Sequence, residues 1–98
     1  MNTRKTTHRE LIQLLCDISD SKEMEDALEA ILTPREFEEL ENRLQIFRML
    51  KQDIPQREIA ATLNVGIATV TRGAAALRHS RFFANYTFST NPAEKHKR

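Results

Sequence analysis

Residues 55–78 read PQREIAATLNVGIATVTRGAAALR, and the way this stretch divides decides the fold. Two short helical patterns flank Asn64, one over about Pro55 to Leu63 and the other over about Ile67 to Arg78. Asparagine is among the few residues besides glycine that enter the left-handed region at small cost, so the chain is expected to turn there. The spacing gives the proportions of a helix-turn-helix. Ile59, Leu63, Val65 and Val70 are placed to pack the two helices together, and Ala60 is small where the second helix crosses. Leu77 is a further buried position, and Ala74, Ala75 and Ala76 permit close approach on more than one side. Gln56, Thr69, Thr71 and Arg72 remain for phosphates and bases.

Upstream, Asp53 is expected to cap the helix that follows, with Pro55 in its first turn and Gln56 at its third position. A long helix is expected from Pro34 to about Lys51, with Phe37, Leu40, Leu44, Phe47 and Leu50 on one stripe and Ile46 widening it. Its start is marked by Thr33-Pro-Arg-Glu: an N-cap, a proline in the first turn and a glutamate able to close a capping box. Before it, Met24, Ala27, Leu28, Ile31 and Leu32 mark a second, shorter helix. The first helix carries Leu11, Ile12, Leu14, Leu15 and Ile18 and stops at Ser19-Asp20-Ser21. Downstream, Arg81 to Phe88 holds four of the six aromatic residues with no clear helical stripe, and is expected to pack on a partner or on the chain's own core. Residues 91–98 read as a disordered basic tail.

The 98 residues have room for one domain, and a chain of this size buries only about two-thirds of its extended surface, so oligomerisation is a useful source of further core. Two glycines, three prolines and many Leu, Ile, Ala, Glu and Arg residues favour an all-α fold. A single cysteine, Cys16, cannot form an internal disulfide and is expected as a buried small hydrophobe. His8, His79 and His96 lie too far apart in sequence for a zinc motif, and no apolar run is long enough for a bilayer span or a signal peptide, so a cytoplasmic protein is expected.

The formal net charge of +1 conceals an asymmetry: residues 1–55 carry 8 basic and 12 acidic groups, net −4, and residues 56–98 carry 7 basic and 2 acidic groups, net +5. A polyanion is drawn to the second part and repelled by much of the first. Double-stranded DNA is therefore the expected partner, with the second helix of the pair as recognition helix and Ile67, Ala68 and Thr69 at its tip. From Val65 through Thr71 there is no Arg, Lys, Asn or Gln, so the bidentate pairs that discriminate guanine and adenine are missing there. Base reading is left to water, backbone, methyl contacts and DNA shape, while Gln56, Arg57, Arg72 and Arg78 serve phosphates or flanking bases. A steep salt dependence follows.

The sequence resembles the Trp repressor family. Leu32-Thr33-Pro34, Arg43, Gln56-Arg57-Glu58-Ile59 and Gly66 to Gly73, GIATVTRG, stand in that family's order over about residues 11–78. The Trp repressor is itself a known case of water-mediated base contact, so that expectation and the resemblance are not independent. The resemblance implies a bacterial, cytoplasmic transcriptional repressor built as an intertwined helical homodimer. Residues 8–51 would supply dimerisation helices and 53–79 the helix-turn-helix, with 80–90 as this chain's own aromatic C-terminal segment. It also implies L-tryptophan as corepressor. Arg43 and Arg72 would hold the indole between guanidinium planes, Arg72 would meet the carboxylate, and Gly73 would leave room. Thr33 and the Leu32 carbonyl would reach in from the other subunit, and Thr69 would lie between ligand and DNA. Guanidinium stacks on aromatic faces and pairs with carboxylates, so the chemistry is sound.

The chain departs from the family pattern in three places. The turn Lys51 to Ile54 is one residue shorter than in the tryptophan-responsive members; Ala76 and Ala60 stand where the family has a serine and a lysine; and the aromatic segment replaces the terminal helix. A ligand-independent regulator of the same family stays open beside the corepressor reading, as does a helical protein-interaction module. Catalysis is not expected, because no nucleophile has a base at motif spacing.

Overall fold

The computed structural model describes residues 8–89, and every regular element among them is helical. The elements are α1 (Arg9–Asp17), α2 (Ser21–Ile31), α3 (Pro34–Lys51), α4 (Gln56–Leu63), α5 (Ile67–Arg78) and α6 (Arg81–Asn85). The expected tail at 91–98 lies outside the described residues. None of these helices is long and apolar enough to cross a membrane. Internal contacts divide the chain between Glu38 and Glu39 into an N-terminal and a C-terminal unit.

In the N-terminal unit the starts of α2 and α3 have a chemical cause, whereas α1 begins at His8 without a side-chain cap. The Asp20 carboxylate accepts from the Glu23 N–H at 3.0 Å and so starts α2, a cap the periodicity did not mark. At the start of α3 the capping box closes both ways: the Glu36 N–H donates to Thr33 Oγ1 at 3.1 Å and the Thr33 N–H to Glu36 Oε1 at 2.9 Å. Because its cap lies at Asp20, α2 runs 11 residues and is longer, not shorter, than the 9-residue α1. Neither helix buries a residue, and Leu11, Ile12, Leu14 and Ile31 stay exposed. Cys16 is exposed as well, against expectation, because α1 has no buried face for it to join.

The core lies in the C-terminal unit. Ile46, Phe47, Ile59 and Val70 are buried, and Met49, Leu50, Ile54, Leu63, Val65 and Leu77 pack against them. The α3 stripe is rotated from its expected position. Leu40 and Leu44 are 51% and 40% exposed, whereas Ile46, expected only to widen the stripe, is 1% exposed. Gly73 of α5 lies against it: a Cβ there would be 2.9 Å from Ile46 Cγ2, so the absence of a side chain lets α5 approach Ile46.

Two non-glycine residues with positive φ, Asp53 (63°) and Asn64 (57°), end α3 and α4. In each case two backbone bonds close the helix. Ile54 N–H reaches the Met49 carbonyl and Asp53 N–H that of Leu50; Val65 N–H reaches Ala60 and Asn64 N–H reaches Ala61. These are Schellman motifs, each with an apolar residue following the left-handed one. Asn64 behaves as expected. Asp53 does not: its left-handed backbone closes α3 and does not cap α4, whose N-cap is Pro55 with no side-chain bond, so Gln56 is the first helical residue and not the third.

The aromatic segment packs on the chain's own core. Ser80 Oγ accepts from the Phe83 N–H at 3.1 Å and starts α6. The Phe83 ring meets Phe47 edge to face, with centroids 5.0 Å apart, and stacks on Phe88 at 5.9 Å. Lys51, in the last turn of α3, donates to the Phe83 carbonyl and to the Tyr86 carbonyl at 2.7 Å, which ties the segment down.

Candidate nucleic-acid interface and adjoining cavity

Gly66 is the N-cap residue of α5 and offers no side-chain cap, so the first backbone N–H groups of α5 are not closed off by a neighbouring side chain. Such an end favours phosphate. Around it Ile67 is 51% exposed, Ala68 and Thr71 are exposed, and Thr69 is half-buried. Thr71 Oγ1 donates to Gln56 Oε1 at 2.9 Å, a bond between the outer faces of α5 and α4. With that oxygen engaged, the Gln56 amide N–H groups are the donors left to meet a phosphate oxygen. Arg57 and Arg78 are exposed on α4 and α5. Arg78 lies in the last turn of α5, at the opposite end from the neutral tip.

A cavity of about 450 Å³ opens beside this surface, within the size range of small-molecule sites. Its α3 wall is Glu39, Asn42, Arg43 and Ile46, which follow one another at helical i, i+3, i+4 and i+7 spacing. Thr69 and Arg72, one turn apart on α5, form the facing wall, and Val65 and Gly66 close it. The structure therefore brings Arg43, Thr69 and Arg72 together from two helices. Gly73 is buried against Ile46 and is not part of the lining, so the space it leaves is filled by the protein itself. A larger residue at Gly73 would therefore meet Ile46 before it met anything in the cavity. Leu32 and Thr33 belong to the N-terminal unit, where Thr33 caps α3.

Glu39, Asn42 and Ile46 went unread as cavity residues. Their signal was present, since they stand four before, one before and three after Arg43 on the same helix. Gly66 has an ordinary φ of −71°, and a Cβ on it would meet nothing within 4 Å.

A paired α4 and α5, turned at a left-handed asparagine, with no side-chain cap at the start of the second helix, is a helix-turn-helix unit of the DNA-binding class. Comparison with known proteins narrows the class. Residues 6–85 match the family described as Trp repressor protein. A Trp operon repressor homolog of Xylella fastidiosa (strain 9a5c) is 39% identical over 77 residues, which cover 78% of this chain and 84% of the relative. One from Vibrio parahaemolyticus is 38% identical over 71 residues, covering 71% and 69% of the two chains, and one from Mannheimia succiniciproducens is 46% identical over 61 residues, covering 61% and 59%. No solved structure gives a significant match. The chain belongs to the Trp repressor family, a family of DNA-binding repressors.

Proposed function

We propose that this repressor works as a homodimer and that its affinity for an operator is set by a small-molecule corepressor, L-tryptophan, held in the cavity between α3 and α5. The observation that carries the reading is that Arg43 and Arg72, 29 positions apart in sequence, line one cavity together with Thr69 of the recognition helix. Two guanidinium groups on facing walls suit a flat aromatic body with a carboxylate attached. A ligand there touches α3 and α5 at once. Binding fixes the attitude of the recognition helix and removes part of the ordering cost of docking on DNA, a population shift.

Ile67, Ala68, Thr69 and Thr71 then enter the major groove, and Gln56, Arg57, Arg72 and Arg78 hold the backbone. The homodimer is supported by the N-terminal unit: two amphipathic helices with no buried residue cannot offset the entropy of ordering them without a further surface to cover their apolar faces. Leu32 and Thr33 would reach the cavity from that second subunit. The Lys51 to Ile54 turn, one residue shorter than in the tryptophan-responsive members, keeps a second reading: a regulator of the same family that needs no ligand.

One experiment separates the two. Operator DNA is selected from a random pool, and its affinity is measured against salt with and without L-tryptophan. Tryptophan should raise the affinity; if millimolar tryptophan alters neither operator affinity nor melting temperature, the corepressor half of the reading fails. Replacing Arg57 or Arg78 by alanine should weaken binding across sequences and reduce the salt slope by about one each. Unchanged slopes would point to a protein-interaction module.

A further inference from the structure

One side-chain bond joins the two helices of the DNA-binding unit on their outer faces. A threonine inside a helix has an acceptor close by, in the carbonyl three or four residues before it. The Thr71 hydroxyl of α5 reaches another helix, 15 positions back in sequence, and donates to Gln56 Oε1 at the start of α4. A carboxamide meets a phosphate in two ways: its N–H groups are attracted and its carbonyl oxygen is repelled. An untethered glutamine turns between the two and gives up rotamer freedom on docking. With Oε1 held by Thr71, the planar amide carries Nε2 on the side away from that threonine. Resting on the reading of the outer faces of α4 and α5 as the DNA surface, we propose that Thr71 is a positioning residue: its hydroxyl holds the Gln56 carboxamide with oxygen turned to α5 and N–H groups turned to a DNA phosphate before the duplex arrives.

A threonine that reads a base in the major groove has a different signature. Loss of a base contact weakens operator binding more than binding to unrelated duplex, whereas loss of a phosphate donor weakens both alike. The Gln56 amide is neutral, so its misplacement leaves the salt slope where it was, unlike the loss of Arg57.

The test measures the affinity of full-length wild type, Thr71→Val, Thr71→Ser, Gln56→Ala, the Thr71→Val/Gln56→Ala double variant and Arg57→Ala for the selected operator and for a scrambled duplex, across salt and with L-tryptophan present. Thr71 is exposed and valine keeps its shape, so the melting temperature should stay at the wild-type value. Thr71→Val should lose about three- to tenfold on both duplexes with an unchanged salt slope. Thr71→Ser, which keeps the hydroxyl, should restore wild-type binding. In the Gln56→Ala background Thr71→Val should cost nothing further. A Thr71→Val loss of equal size with and without Gln56, a loss confined to the operator, or no loss in either single variant overturns the proposal. If Arg57→Ala also leaves binding unaltered on both duplexes, the placement of this face on DNA falls as well, a result distinct from a Thr71 that acts without Gln56.

Discussion

Val70→Asp should abolish the cooperative unfolding transition of the helix-turn-helix. Val70 is 0% exposed and packs in the core with Ile46, Phe47 and Ile59. The substitution removes about 1.5 to 3 kcal/mol of apolar burial and sets a carboxylate where no described side chain offers a counter-charge, a penalty of several kcal/mol more. A small domain has only about 5 to 15 kcal/mol in total. Val70→Ala supplies the control: it forgoes burial without introducing charge and should keep a sharp transition at lower temperature. Thermal melts followed by circular dichroism decide the matter, and a Val70→Asp melt superimposable on wild type would remove Val70 from the core.

Gly73→Ala should destabilise the protein although alanine is the better helix former. Propensity favours alanine by about 0.8 to 1 kcal/mol in a helix interior. Against this stands the 2.9 Å approach of the new methyl to Ile46 Cγ2. That atom sits on a β-branched carbon with little rotamer freedom and belongs to a side chain only 1% exposed, so it cannot swing aside as the end of a flexible chain would. Overpacking of this kind costs about 1 to 3 kcal/mol, enough to outweigh the propensity gain. A double-mutant cycle identifies the cause. Ile46→Leu removes the offending methyl from Cβ, so Gly73→Ala should be less harmful in that background than in wild type. Additive effects would assign the loss elsewhere. Ile46 also lines the cavity, so under the proposed corepressor reading the same variant should alter tryptophan affinity from outside the lining.

These two residues show which parts of the protein were readable from its sequence. The limits of α3 and α5 were legible because local chemistry sets them: Thr33, Pro34 and Glu36 start one helix, and Asn64 turns the chain before the other. Periodicity located a stripe on α3 but not which of its residues α5 would cover. That depends on the contact between Gly73 and Ile46, 27 positions apart, which no local pattern encodes. Asp53 was misread for a related reason. Aspartate serves both as an N-cap and as a left-handed residue, and here the backbone bonds from Ile54 to Met49 and from Asp53 to Leu50 go with the second. The aromatic segment was opaque because its order comes from Ser80, from Lys51 some 32 to 35 positions away, and from Phe47 in the core. Within the candidate site, Arg43, Thr69 and Arg72 came from resemblance, whereas Glu39 and Asn42 needed the shape of the cavity.

The chain has only two glycines, and they are opposite in kind. At Gly73 the missing side chain is matched by Ile46, so its smallness is used up within the folded chain. At Gly66 neither the backbone angle nor any neighbouring atom requires glycine, yet the residue borders both the cavity and the start of the recognition helix. The first glycine is written into the architecture, and the second leaves a clearance at the border of the cavity. A methyl group added at one would be felt by the empty protein, and at the other only by what comes to rest against it.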